Sequence, residues 1–256
     1  MEILLNINEL KYKDIFNKIT MSISEGTVTT ISGANNSGKT TLVRILDRRI
    51  NEDFNINLNG KDYRDYSLED YSKLVQVVYP NKYYFYKETP TDEIKGKSEN
   101  KKKERVLLET LKELEIDKKK IEKLDKFELL WLQILKAIAI SDKIVVIDSL
   151  DYDMTKLELD EVYDFIKKVA KVFKMSFIMT SLSLEEALNT DEIYILQDGE
   201  IILWGEPKVV LQKDNILNKA GLEVPFMIDL SVKLRDYDLV DDIILDKGRL
   251  VDSLWN

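Results

Sequence analysis

The sequence contains no cysteine and no histidine. Without cysteine there is no disulfide and no thiolate chemistry, which fits a reducing compartment. Without histidine there is no imidazole to serve as base, metal ligand or phosphate sensor, so Ser-His hydrolases and His-ligated zinc sites are excluded. Long apolar runs are missing as well. No stretch approaches the roughly 20 residues that cross a bilayer, and the amino terminus lacks a basic region followed by an apolar stretch and a cleavage site. Any membrane role is therefore expected to pass through a partner. Basic charge is in deficit: 38 Lys and Arg against 47 Asp and Glu give a net charge of −9. A general nucleic-acid binder needs a basic face to displace counterions, so no nucleic-acid partner is expected. Two local clusters run the other way. Lys95-Gly96-Lys97 with Lys101-Lys102-Lys103, and Lys118-Lys119-Lys120 with Lys123 and Lys126, read as a solvated helical face or as an anion or lipid contact.

What is present suffices for a large α/β core: 256 residues, 44% of them hydrophobic, with no internal repeat or low-complexity linker. The most specific feature is Gly33-Ala34-Asn35-Asn36-Ser37-Gly38-Lys39-Thr40, which fits the phosphate-loop pattern GxxxxGK[ST]. Glycines at 33 and 38 let the backbone turn so that successive N–H groups converge on a β-phosphate. Lys39 supplies a point charge near the β and γ oxygens, and Thr40 offers a hydroxyl to Mg²⁺. The flanks agree. The β-branched run Thr27-Val28-Thr29-Thr30-Ile31 leads in, and Thr41 to Leu46 opens a helix whose N-terminal dipole faces the phosphates.

Alternating and continuous apolar patterns predict strands at Ile3–Ile7, Ile19–Ile23, Val28–Ile31, Ile56–Gly60 and Leu74–Val78. Further strands are expected at Ile144–Asp148 and Ser176–Thr180. Helical spacing runs over Arg105–Leu114, Leu129–Ile140 and Leu157–Val172, and a hairpin is expected across Asp198-Gly199. Beyond Gly205-Glu206-Pro207 the pattern changes to short helices.

This order of parts, over most of residues 1–210, resembles the ATP-binding subunits of ABC transporters. The resemblance implies an α/β fold with a P-loop NTPase core, an N-terminal antiparallel β subdomain, a helical subdomain at about 89–141 and a small helical C-terminal appendage. It also implies ATP and Mg²⁺ as ligands. Tyr12 matches the aromatic residue that stacks on adenine, although a lone tyrosine is as readily a core residue. Asp148 matches the strand aspartate that orients Mg²⁺ together with Thr40. The tail narrows the family. Gly221 to Phe226, the helix after it and Leu250 to Trp255 look like the C-terminal region of energy-coupling factor (ECF) transporter ATPases. That implies an ATP-binding domain over 1–208 and a dimerisation region over 209–256, a generic dimerising tail being the alternative. The implied partners are a second ATPase subunit, a heterodimer being preferred, a membrane scaffold and a substrate-binding membrane protein for vitamin or metal uptake. The implied location is peripheral, on the cytoplasmic face of the cell membrane.

Four positions depart from the family pattern. Ser149 stands where a glutamate polarises the attacking water, and losing a positioned base forfeits about 10² to 10⁴ in rate. Ser181 stands at the switch histidine and Tyr79 at the Mg²⁺-coupled glutamine. Leu124-Asp125-Lys126-Phe127-Glu128 replaces the Leu-Ser-Gly-Gly-Gln signature that faces the partner's γ-phosphate. Asp125 there brings a carboxylate toward phosphate, and two unit charges about 5 Å apart repel by roughly 3 kcal/mol at an effective dielectric of 20. The segment Leu150 to Thr155, with Asp151 and Asp153, is also altered. The expectation is an ATP-binding subunit that is poor or inactive in hydrolysis. The alternatives are a docking module that needs no nucleotide, and an active ATPase using Asp151 or Asp153 as its base.

Overall fold

Why the phosphate loop ends up at the centre of the molecule is visible in a computed structural model that describes residues 2–80, 82–150 and 154–255. The chain opens with β1 (Ile3–Tyr12), β2 (Phe16–Ser24) and β3 (Val28–Ser32), followed by α1 (Lys39–Leu46), β4 (Ile56–Leu58) and β5 (Lys61–Asp62). Then come α2 (Leu68–Leu74), β6 (Val75–Val78), α3 (Pro90–Ile94), α4 (Lys101–Glu113), α5 (Lys126–Ile140) and β7 (Ile144–Asp148). The second half holds α6 (Lys156–Phe173), β8 (Ser176–Ser181), α7 (Leu184–Ala187), β9 (Glu192–Gln197) and β10 (Glu200–Gly205). Short helices α8 (Pro207–Val210), α9 (Asp214–Lys219), α10 (Phe226–Asp236) and α11 (Lys247–Trp255) close it.

The strands form one sheet in the order β5-β4-β1-β2-β10-β9-β3-β8-β7-β6. One arm, β5, β4, β1 and β2, is antiparallel and alternates buried with exposed positions. The other, β9, β3, β8, β7 and β6, is parallel, and β3 and β8 are buried at every position. Continuous apolar or β-branched strands are what a parallel sheet covered on both faces requires. β10 joins the arms, antiparallel to β9 and held to β2 by a single parallel pairing, Lys18 against Glu200.

Two large apolar clusters flank the parallel arm. One joins α4, α5 and α6 to β7 and β8, around Trp131, Tyr163 and Phe177. The other joins the antiparallel arm to α1, around Phe16, Leu42 and Ile45. A third, smaller cluster holds Leu211, Leu217 and Ile228 against Ile193 and Ile195 of β9, so the closing helices share apolar packing with the main sheet.

The strand expected over Leu74–Val78 starts one residue later, because Leu74 is the last residue of α2. That helix is set by the Ser67 hydroxyl, which accepts from Asp70 N–H at 3.0 Å and satisfies a first-turn donor. The first strand is twice the expected length, with register shifts that carry its left-handed Glu9 (φ 49°) without ending the ladder. In the basic stretch at 95–103, Lys103 departs from a solvated face. It is 3% exposed and donates to Ser141 O at 2.6 Å, with Asp142 3.4 Å away; burial lowers its pKa, an effect Asp142 opposes.

Candidate nucleotide site

The loop at 33–38 leaves the buried C-terminal end of β3 and enters α1 directly, so the first turn of α1 opens toward solvent above the sheet. Such a strand-loop-helix crossing gathers backbone N–H groups and the positive end of the helix dipole on one concave surface. The two glycines are required sterically. A Cβ on Gly33 would run into the Leu196 carbonyl oxygen, and one on Gly38 would lie 2.5 Å from Phe16 Cε1 on a backbone at φ 106°. Asn36, at φ 64°, adopts the left-handed turn that asparagine tolerates.

Lys39 is buried and folds back over the loop. Its Nζ donates to Gly33 O at 2.6 Å and Ala34 O at 2.9 Å, with Ser37 Oγ at 3.5 Å. An incoming phosphate competes with these oxygens for the ammonium. Thr40 Oγ1 donates to Asp148 Oδ1 at 3.3 Å, and Thr180 Oγ1 donates to the same oxygen at 2.9 Å. Ser149 N–H in turn donates to Thr180 Oγ1 at 3.0 Å. The relay pins the strand aspartate beside Thr40. A hydroxyl and a carboxylate meeting there are the hard oxygen donors that Mg²⁺ takes, alongside phosphate oxygens.

These groups line a cleft of about 610 Å³, within the range of small-molecule sites. Residues 35–41, Asp148 and Ser149 all face it, as does Tyr79. Among the described residues lining it are four cations, Lys39, Arg44, Arg49 and Lys82, and one carboxylate, Asp148. On a chain of net charge −9 this is a focused positive field.

Other expected site residues lie elsewhere. Tyr12 is 9% exposed and packs edge-on against Phe54 with ring centroids 5.9 Å apart; among the described residues lining the cleft, Ile15 is the nearest in sequence. Ser181 is fully buried and closes a small turn, its Oγ accepting from Ser183 N–H at 2.9 Å, while its neighbour Leu182 reaches the cleft. Leu124 to Glu128, expected to face a partner's nucleotide rather than this cleft, lie at the start of α5 (Lys126–Ile140). There Asp125 caps the helix, its carboxylate accepting from Glu128 N–H at 2.8 Å while Glu128 accepts from Asp125 N–H at 3.1 Å. The carboxylate expected to face the partner's phosphate also caps its own helix. Asp151 and Asp153 lie outside the described residues.

Sequence reasoning missed Thr180, Arg44, Arg49 and Lys82. Arg44 was within reach, since it follows Thr40 by one helical turn on α1. Arg49 enters from the end of α1 and Lys82 from the segment after β6, and neither carries a sequence signal of its own.

Residues 16–151, more than half of the chain, match the family model described as ABC transporter. The energy-coupling factor transporter ATP-binding protein EcfA2 of Caldanaerobacter subterraneus subsp. tengcongensis is 32% identical over 234 residues, covering 85% of this chain and 81% of that protein. The chain belongs to the ABC transporter family, among its energy-coupling factor ATP-binding proteins. EcfA of Pediococcus pentosaceus is 25% identical over 244 residues, 88% of this chain and 87% of its own. The match to EcfA1 of Lactobacillus delbrueckii subsp. bulgaricus is shorter, 27% identity over 119 residues, and spans only 42% of that relative's length. Among solved structures, cbiO1 from Clostridium perfringens, described as part of the ABC transporter complex cbiONQ, superposes with a TM-score of 0.72 at 19% identity, covering 90% of this chain and 99% of that one. This likeness establishes the α/β ABC ATPase fold for the present ABC protein. No helix among its described residues is long and apolar enough to cross a membrane.

Proposed function

We propose that this chain is the catalytically weak ATP-binding subunit of an ECF-type importer for a vitamin or metal, held by membrane partners on the cytoplasmic face. The observation that carries the reading is a complete phosphate cradle with Ser149 where a base is needed. Lys39, the loop backbone and the start of α1 bind and orient the phosphates, and Thr40 with Asp148 would hold Mg²⁺. The ion, when bound, neutralises charge on the phosphate oxygens. Among the described cleft residues a free proton acceptor is lacking. Asp148, the one carboxylate among the described cleft residues, already accepts from two hydroxyls. Ser149 cannot accept a proton near pH 7, and the buried Ser181 offers no group to a γ-phosphate.

Such a subunit suits a heterodimer with an ATPase that carries Glu and His at the matching positions. The altered signature at Leu124 to Glu128 weakens the composite site on the partner's nucleotide, and the 209–256 region serves dimerisation.

The test is nucleotide binding and turnover by the purified chain, alone and with the proteins that co-purify from its native membranes. MgATP binding that disappears in Lys39→Ala, with negligible phosphate release by the chain alone, is expected. Equal affinity in that variant sinks the nucleotide reading in favour of a docking module. Turnover that is lost on mutating Asp151 or Asp153 would establish the chain as an active ATPase with its own base.

A further inference from the structure

The cleft is built for phosphate and offers little to a base. The connection between β1 and β2 is short, Lys13 to Ile15, and is closed by Ile15 N–H donating to Tyr12 O at 3.0 Å. Tyr12 and Phe16 pair directly across it, so their side chains share one face of the sheet, and both are buried there. Tyr12 belongs to the apolar cluster of that arm, its ring edge-on to Phe54 and with the Lys13 ammonium 4.8 Å from its centroid. What this connection presents to the phosphate loop is Phe16 and Ile15, the two side chains that a Cβ on Gly38 would meet. Ile15, 38% exposed, lines the cleft. An aliphatic side chain touches any base alike.

The rest of the lining is equally indifferent. Tyr79 is the one aromatic residue among the described residues of the cleft, and its ring is already engaged: the Arg49 guanidinium lies 4.6 Å and the Lys82 ammonium 5.5 Å from its centroid, while its hydroxyl donates to Asp47 Oδ2 at 2.9 Å. Asn35 and Asn36 are exposed amides, each with both donors and an acceptor, and suit a purine or a pyrimidine edge equally. Arg44 is exposed one turn along α1, and a guanidinium lies against the face of any base.

We propose that this cleft recognises a polyphosphate chain and not a base, taking purine and pyrimidine nucleoside triphosphates alike and inorganic tripolyphosphate with them. The inference rests on the nucleotide reading above and deepens it. A base stacked on an aromatic face gains roughly 5- to 150-fold in affinity. The described residues of the cleft hold no open aromatic face for that gain, whereas the loop backbone, Lys39 and the start of α1 serve every triphosphate in the same way.

Isothermal titration of the full-length chain in magnesium buffer with ATP, GTP, UTP and inorganic tripolyphosphate tests this. Dissociation constants within about threefold of one another are expected for the three nucleotides, with tripolyphosphate displacing ATP competitively. Tyr12→Leu should lower the melting temperature, because the ring packs in the core, and leave ATP affinity unmoved; should that variant not fold, the ligand series on the native chain decides by itself. ATP bound about tenfold or more tighter than GTP or UTP overturns the inference and leaves the nucleotide reading standing. So does ATP that tripolyphosphate fails to displace, or a folded Tyr12→Leu variant that loses ATP affinity while keeping that for tripolyphosphate. Absence of binding by all four ligands overturns the inference and the nucleotide reading together.

Discussion

Gly38 shows how little freedom the phosphate loop has. With φ at 106° and the Phe16 ring 2.5 Å from where a Cβ would stand, Gly38→Ala meets backbone strain and a clash together. We expect a loss of about 1 to 3 kcal/mol in urea unfolding and no detectable nucleotide binding in the same preparation. Ser149 and Ser181 invite the opposite experiment, restoring Glu and His. Ser181 has no exposed surface and its hydroxyl is used in a turn, so Ser181→His overpacks the end of β8 at a cost of about 1 to 3 kcal/mol. The double substitution Ser149→Glu with Ser181→His is accordingly expected to lower the melting temperature without restoring phosphate release. A rise of about 10² or more in turnover would contradict that. Asp125 illustrates a residue whose meaning depends on its bonds. As an N-cap, its replacement by Ala costs about 1 kcal/mol, a shift of about 2 to 4 °C in melting temperature, whereas Asn holds the cap.

The junction of α3 and α5 depends on one buried carboxylate. Glu93 has no exposed side-chain surface; it accepts from Tyr86 N–H at 2.9 Å and Lys87 N–H at 3.0 Å and pairs with Lys136 at 2.8 Å. Burial by itself raises its pKa, but Lys136 and the two backbone donors outweigh burial and hold the carboxyl below its ordinary 4.5. A carboxyl whose folded pKa is depressed contributes stability above its unfolded pKa and loses it as pH falls through the folded value. Glu93→Ala removes the acceptor of Tyr86 N–H and Lys87 N–H and the carboxylate partner of Lys136, which keeps Tyr84 O at 2.6 Å, and is expected to cost roughly 3 to 5 kcal/mol near pH 7. Urea titrations should find the gap between native chain and Glu93→Gln full near neutrality and shrinking below pH 4.5; a gap independent of pH would mean the charge is irrelevant. Little of this junction is legible beforehand. The strands at 144–148 and 176–180 announce themselves because every residue is apolar or β-branched, and α6 because its apolar residues recur at helical spacing. Glu93 lies in a five-residue helix among tyrosines, with no periodicity to mark it as buried.

Taken as one molecule, the chain couples an acidic surface to a basic cleft. Nucleotide binding there should stabilise the whole fold, because the loop, α1, β7 and β8 all contribute to the site. At a free ATP concentration about 100 times Kd the gain is about 2.7 kcal/mol, or roughly 5 to 10 °C in melting temperature for a chain of this length. Lys39→Ala is expected to abolish the shift, and differential scanning calorimetry with and without ATP decides it. The closing helices belong to the same unit. Leu217 and Ile228 pack with Ile193 and Ile195, and Ser231 Oγ donates to Ile244 O at 2.8 Å while accepting from Ile244 N–H. Truncation after Pro207 should therefore lower stability, and expose Ile193, as well as remove a proposed dimer contact.

Amino-acid order specifies the phosphate loop, the strand that feeds it and the helix that follows, because each requires particular residues at fixed local spacing. It also determined what the chain lacks, since an absent histidine or glutamate needs no coordinates. Tertiary structure alone decided that Tyr79 turns its hydroxyl to Asp47, that Arg49 and Lys82 join the cleft, and that Tyr12 packs on Phe54. Those outcomes depend on how α1, β6 and α5 pack together, a long-range arrangement that leaves no period or motif in the chain.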